Sequence, residues 1–258
     1  MKASAATKIR VLTAFVMASL TSSIAIAQSR FDGTWRLDVS SFQTPKEPFA
    51  WLLQDGVYEC KSCKPPIRVK ADGQDHLTPG QPYDTISVAV VNGRTIREIE
   101  KKNGQIVSDE TFTVSADGKT ATDEFANWKV TMSRLEKGAP GSHALSGSWQ
   151  PIKLESTSDK ELLVTYKFEA GALIMTRPTG QSYRAKLDGG DAPYNGEPRF
   201  DTVSVKRIDR NTIEETDKFS GKILVVLRMT VNASGKTMTI AVNDLESGTT
   251  ARFTATKQ

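Results

Sequence analysis

Two cysteines three positions apart, Cys60 and Cys63, are the sharpest candidates for chemistry in the sequence. A Cys-x-x-Cys pair can close a disulfide, exchange electrons or supply half of a tetrahedral zinc site. A redox pair of the thioredoxin type opens a helix, whereas a Pro-Pro dipeptide follows this pair at 65–66. A zinc site would need further ligands, for which His76 and His143 are the histidines of the chain. We expect a structural disulfide and no metal, with redox chemistry and metal binding as the alternatives.

Carboxylates are the next candidates, because Asp84 and Glu98 return as Asp201 and Glu215 at a spacing of 117. A carboxylate pair can act in acid–base catalysis. However, an aspartate at the start of a strand typically binds the nearby backbone, and we expect the glutamates on solvated outer faces of strands. The chain also lacks a Gly-x-Ser-x-Gly nucleophile motif. We therefore predict no catalytic residues and no cofactor.

A duplication explains the spacing of these carboxylates. Residues 84–124 align without a gap to residues 201–241, with 17 identities in 41 positions. Further upstream, Gly33-Thr34-Trp35 corresponds to Gly147-Ser148-Trp149 at a spacing of 114. A repeat of this size can bury a core of its own, unlike the short repeats of solenoids. The sequence therefore predicts two tandem units.

Each unit has the pattern of an antiparallel meander. Asn-Gly or Asp-Gly pairs at 92–93, 103–104 and 117–118 are typical of tight hairpin turns, and apolar residues alternate with polar ones between them. About eight or nine strands per unit would hide their edges by curling into a barrel. The predicted fold is all-β, with barrels at 28–137 and 144–258 joined by a linker at 138–143.

The N-terminal segment 1–27 has the features of a cleaved signal peptide. Basic residues precede an apolar run, and Ala27-Gln28 follows the pattern of a cleavage site. Without this segment the chain has 31 basic and 30 acidic residues, and this balance does not favour a nucleic-acid partner. No later segment is apolar enough for a transmembrane helix. We predict a periplasmic or secreted protein.

The Gly-x-Trp phrases, the meander and the turns at 117–120 and 234–237 resemble those of lipocalin-like (calycin) proteins, particularly small exported bacterial ones. The resemblance covers nearly all of the chain after the signal segment. It implies that Trp35 and Trp149 plug one end of each barrel. It also implies that a basic residue of the last strand, Arg134 or Lys257, packs over each tryptophan.

The resemblance further implies binding of a small hydrophobic molecule without catalysis. Trp51 and Trp128 occur only in the first unit and are the candidate ligand-binding residues, with packing in the core as the alternative. Barrels of about eight strands can also be filled by their own side chains. The alternative function is therefore an envelope or secreted structural or interaction module that binds no ligand.

Overall fold

The computed structural model describes residues 29–43, 45–246 and 248–258. This part of the chain is nearly all antiparallel strand, with one short 3-10 helix at Asp159–Leu162. None of its helices has the length and apolar character needed to cross a bilayer. The strands form two barrel-shaped sheets, which confirms the predicted all-β fold class. The predicted signal segment and its cleavage site at Ala27-Gln28 lie outside the described residues.

Each sheet contains ten strands. The strands of one sheet are β1 (Gly33–Gln43), β12 (Leu163–Glu169), β13 (Ala172–Thr176), β14 (Ser182–Lys186), β15 (Asp188–Asn195), β16 (Thr202–Arg207), β17 (Thr212–Phe219), β18 (Lys222–Val231), β19 (Thr237–Asp244) and β20 (Thr249–Lys257). This sheet closes on itself, because β1 pairs with both β12 and β20, and it is called the closed barrel below.

The strands of the other sheet are β2 (Phe49–Gln54), β3 (Val57–Cys60), β4 (Ile67–Lys70), β5 (His76–Leu77), β6 (Thr85–Asn92), β7 (Thr95–Lys102), β8 (Gln105–Val114), β9 (Thr120–Phe125), β10 (Trp128–Lys137) and β11 (Gly147–Ser156). Strands β4 and β5 are its edges, and it is called the open sheet below. A single bridge between Asp72 and Ala89 links the chain just after β4 to β6. The open sheet therefore curls almost into a second barrel.

The first strand of each predicted unit lies in the other unit's sheet. Strand β1 completes the closed barrel, and β11 pairs with β10 and β2 of the open sheet. The predicted units 28–137 and 144–258 therefore do not coincide with the sheets, which differ from them by these exchanged strands. The alternation of a strand's residues shows which face is buried, but the identity of its hydrogen-bonding neighbour depends on tertiary contacts.

The hairpins repeat the same local geometry in both sheets. Asn103 and Gly104, between β7 and β8, have φ values of 50° and 76°, and Ser220 and Gly221, between β17 and β18, have 49° and 79°. Positive φ at both central residues is the requirement of a tight type I′ hairpin turn.

An aspartate just before β6 supports the first of these turns, and one just before β16 supports the second. Asp84 Oδ2 accepts the backbone N–H of Asn103, and Asp201 Oδ2 accepts that of Ser220, both at 2.7 Å. The recurring Asp thus binds backbone, as expected, although the backbone belongs to a turn 19 residues further along the chain.

The two Gly-x-Trp motifs have equivalent surroundings in the two sheets. Trp35 and Trp149 are fully buried, and each indole N–H donates to a backbone carbonyl four residues earlier at 2.7 Å. Lys257 Nζ lies 4.9 Å from the Trp35 ring, and Arg134 Cζ lies 3.9 Å from that of Trp149. Such cation–π contacts add to the burial of the ring. The resemblance implies a basic residue over each tryptophan, but within the predicted units Arg134 would cover Trp35 and Lys257 would cover Trp149. The structure shows the exchanged pairs.

Two residues before Trp149, the backbone of Glu136 approaches so closely that position 147 requires a glycine. Gly147 has a φ of 126°, and a Cβ atom at this position would lie 2.1 Å from the carbonyl oxygen of Glu136. Arg134 then donates to the backbone carbonyls of Gly118, Ala144 and Ser146 at 2.6 to 2.8 Å. The arginine thereby ties the start of β11 to the turn between β8 and β9.

Corresponding positions of the two copies face each other where the sheets meet. Val107 and Leu224, which are 117 positions apart, line the same small gap. Lys102 Nζ lies 6.0 Å from the ring of Phe219, and this pair is also 117 positions apart. Contact between like surfaces is the arrangement that a local two-fold axis produces.

Candidate functional site

A cavity of about 660 Å³ extends from the interior of the closed barrel to the open sheet, and residues of both sheets line it. On β1 it begins beyond the buried Trp35, since the next inward-facing residues, Leu37 and Val39, line it. Other apolar side chains in its wall are Val225, Leu227, Phe253 and Phe200. Cavities that hold small molecules in proteins have volumes of about 300–1,000 Å³ and predominantly apolar walls. The volume of this cavity lies within that range, and its wall combines apolar side chains with charged and polar ones.

The open sheet covers the mouth of this cavity. The turn between β9 and β10 contributes Phe125, Ala126 and Trp128 to the lining, and β8 contributes Ile106. In the same turn, the Asn127 side-chain amide donates to Glu161 Oε1 at 2.9 Å, next to the closed barrel. The cavity is therefore built from both halves of the chain, which reasoning on separate units did not predict.

The two tryptophans proposed as ligand contacts have different surroundings. Trp128 is partly buried and lines the cavity. Trp51 is buried in the core of the open sheet, with its ring 5.5 Å from that of Phe49 and 5.2 Å from that of Phe112. The structure thus places Trp128 at the candidate site, whereas Trp51 is a packing residue of the other sheet.

Two of the carboxyl groups in the cavity wall, those of Glu215 and Asp217, are buried on β17, and Asp109, Glu161 and Glu197 also line the cavity. Glu215 and Asp217 alternate along β17 with outward residues and share the inner face with the fully buried Ile213. Glu215 is 5% exposed and Asp217 is 3% exposed. The expectation that the recurring glutamates are solvated is therefore wrong. The signal was present in the sequence, since Ile213, Glu215 and Asp217 have the spacing of one strand face.

Burial and hydrogen bonding govern the protonation of this pair. Tyr183 Oη donates to Glu215 Oε2 at 2.5 Å. Burial raises the pKa of Glu215, although the Tyr183 hydroxyl and the Arg177 charge oppose part of this rise. Burial, together with the neighbouring Glu215 carboxylate, raises the pKa of Asp217 to about 9. Asp217 is therefore protonated at neutral pH.

The open sheet carries a related group at the matching position. Glu98 corresponds to Glu215, is 8% exposed and hydrogen-bonds with the buried Tyr58. Burial, and then the charge of Glu110, raises the pKa of Glu98 to about 8. The acid–tyrosine contact thus occurs in both copies, although the residues that surround it differ.

The cysteine motif lies away from the cavity, in the open sheet. Cys60 and Cys63 form a disulfide with a Cα–Cα distance of 5.4 Å. His76 Nε2 lies 2.8 Å from Asp72 Oδ1, and His143 Nε2 lies 2.7 Å from a backbone carbonyl oxygen. Across the described ranges, no group of three or more His, Cys, Asp and Glu side chains is arranged to hold a metal ion. In the oxidised pair neither sulfur is a free thiolate for metal binding or nucleophilic attack.

Comparison with models of known protein families finds no match for this chain, and comparison with curated proteins finds none either.

Proposed function

We propose that this protein is an exported, non-enzymatic binding protein that holds one small hydrophobic molecule in the closed barrel. The observation that carries this proposal is the cavity of about 660 Å³, whose wall contains aliphatic and aromatic side chains beside its charged groups. Transfer of apolar surface from water into such a cavity contributes about 25 cal/mol per Å². The lipocalin resemblance of the sequence supports the same function independently.

A structural or interaction module without a ligand is the second candidate. The interior of the open sheet favours it locally, because buried side chains such as Tyr58, Ile96, Phe112 and Met132 pack there as one core. In this case the open sheet would serve to cover the barrel and to contact other proteins. The two functions differ in whether the cavity takes up an apolar molecule.

Titration with 1,6-diphenylhexatriene, a hydrocarbon probe that fluoresces in apolar surroundings, tests the proposal. The full chain without its signal segment should bind one probe molecule at saturation. Val225→Trp combined with Leu227→Trp fills part of the cavity and should weaken binding about tenfold. Ile223→Trp is the matched control, because Ile223 lies on the same strand but is 42% exposed. No probe uptake, or equal uptake by both variants, would favour the module without a ligand.

Export has a separate test in the native host. Protein recovered from the extracytoplasmic fraction should have the mass of a chain that begins at Gln28. A chain that retains Met1 would contradict export.

A further inference from the structure

The open sheet is an insertion in the closed barrel. Residues 49–156 contain all of its strands, and the strands before and after this range, β1 and β12, are hydrogen-bonded neighbours in the closed barrel. The chain therefore passes between the two sheets through two connections, at 45–48 and at 157–162. Two such connections allow one part of a protein to rotate on the other as on a hinge.

Hydrogen bonds between the open sheet and the rest of the described chain are concentrated at these connections. The backbone carbonyl of Asn127 accepts the N–H of Thr157 at 2.8 Å, and the Asn127 side-chain amide donates to Glu161 at 2.9 Å. The Gln150 side chain donates to the carbonyl of Pro45. Close backbone approaches between the sheets are also concentrated here, between β1 and β11. This side of the contact has the properties of a hinge.

Elsewhere the contact between the sheets has few polar interactions. Val107 and Leu224 line the small gap there, and the Lys222 ammonium group donates to the carbonyl oxygen of Gly80 at 2.9 Å in an exposed position. None of the salt bridges between described side chains joins 49–156 to the remainder of the chain. Relative motion is the default for two parts of a chain that are joined in this way.

The cavity lies next to this weakly bonded part of the contact. Its wall on the open sheet includes 106–109 of β8, and its wall on the closed barrel includes Val225. Val107 and Arg199 line both the cavity and the small gap. Separation of the sheets along the gap therefore opens a path into the cavity.

We propose that the open sheet rotates on its two connections and that this motion admits the small molecule to the cavity. The inference rests on the proposed function and specifies how its ligand enters. In the closed state the molecule is enclosed between the two sheets. The motion should govern the rates of entry and release together, because it leaves the contacts of the closed complex unchanged.

Leu224 provides a test of the motion that needs no bound molecule. It alternates on β18 with Val225, which lines the cavity, and is 2% exposed because it faces the open sheet across the gap. In Leu224→Cys the thiol should react with a maleimide at least about tenfold faster than in Leu173→Cys, since local opening requires less free energy than global unfolding. Leu173 is the matched control because it is fully buried in the core of the closed barrel. Equal rates would overturn the hinge.

A covalent bridge between the sheets tests the route of entry. Lys102 Nζ lies 6.0 Å from the Phe219 ring across the contact. Lys102→Cys with Phe219→Cys, joined by bis-maleimidoethane, should take up and release 1,6-diphenylhexatriene at least about tenfold more slowly than the same variant capped with N-ethylmaleimide. The matched control is a bridge between Lys101→Cys and Asp75→Cys, an ion pair within the open sheet. This bridge should leave both rates within about twofold of their unbridged values.

Removal of the exposed hydrogen bond between the sheets should have the opposite effect. Lys222→Ala should speed up entry and release of the hydrocarbon probe about threefold and leave its Kd within about twofold. Lys236→Ala, which removes another exposed lysine of the closed barrel, is the control and should change neither rate.

The outcomes separate this inference from the proposed function. If the unmodified protein does not take up the hydrocarbon probe, the proposed function fails and the route of entry fails with it. Labelling of Leu224→Cys still decides in that case whether the sheets separate. If the probe binds but the bridged protein loads as fast as the capped one, the hinged entry alone is wrong.

Discussion

Strands β7 and β17 occupy the same position in the two copies, yet their buried acids face different interiors. Beside Glu215 on β17, the barrel wall has Leu227 and Ile240. At the corresponding positions beside Glu98 the open sheet has Glu110 and Asp123. At these two positions the closed barrel thus has apolar residues where the open sheet has carboxyls.

This difference shows how one meander can hold two kinds of interior. Burial raises the pKa of Asp123 well above its ordinary value, and the charges of Glu110 and Glu98 add to the rise. Burial and a neighbouring negative charge both favour the protonated form of a carboxyl. In the open sheet, Glu98 and Asp123, with raised pKa values, lie near buried aromatic rings, whereas the closed barrel contains part of the cavity.

Exchange of the first strands provides the strongest test of the comparison. Separate fragments 29–137 and 144–258 each lack one strand of their sheet and should melt poorly or aggregate. Mixed together they should form a one-to-one complex with a cooperative melt, detected by circular dichroism and size-exclusion chromatography. The contiguous fragment 49–156, which holds β2 to β11, is the control and should fold alone. Two stable monomers from the first cut that ignore each other would contradict the exchange.

Substitution of each buried tryptophan tests the stability of the sheet to which it belongs. Trp35→Ala and Trp149→Ala should each lower the free energy of unfolding by about 3–5 kcal/mol, the usual cost for a buried aromatic side chain. Only Trp35→Ala should also weaken uptake of the hydrocarbon probe, because Trp35 belongs to the closed barrel. Urea unfolding followed by fluorescence measures the first effect. A cost below about 1 kcal/mol would indicate surface positions instead.

Raised carboxyl pKa values predict a loss of stability at alkaline pH. The folded chain holds these protons more tightly than the unfolded chain, in which a carboxyl has a pKa of about 4. The stabilisation is therefore complete below about pH 4. It is lost as the pH rises through the folded values, about 8 for Glu98 and about 9 for Asp217.

Thermal melts between pH 5 and pH 9.5 test this dependence. Tm should fall across the range, by about 2–4 °C for each kcal/mol lost. Glu98→Gln should remove the part of the fall that ends near pH 8, and Asp217→Asn the part near pH 9. A Tm that rises over this interval would show that the acids are ionised in the folded protein.

The disulfide should have the smallest effect, because only the first copy contains cysteines. Cys60→Ser with Cys63→Ser removes a bridge across a three-residue separation, and so short a loop should contribute less than about 2 kcal/mol. Thermal melts should show a small shift with uptake of the hydrocarbon probe unchanged. Thiol titration of denatured native protein without reductant should find no free thiol. Two free thiols with one bound metal ion would restore the metal alternative.

Sequence alone was sufficient for features that depend on neighbouring residues. The positive φ of Asn103 and Gly104 follows from the Asn-Gly pair, and the alternation of Ile86 and Val88 follows from the period of a strand. The lipocalin resemblance implied a buried tryptophan under a basic residue in each unit, but the structure exchanges the two basic residues between the units. The inward position of Glu215 could also have been inferred from Ile213, had the strand face been given more weight than residue type.

Tertiary structure decided the features that depend on distant partners. The sequence of residues 33–43 does not predict that β1 pairs with β20, because every strand offers the same backbone donors and acceptors. The cavity likewise requires Trp128 of one sheet to meet Asp217 of the other, almost 90 positions along the chain. The sequence by itself determined which strands and turns form. Only the packing of the two sheets determined which strand closes the barrel and which residues line the cavity, because both depend on atoms brought together by folding.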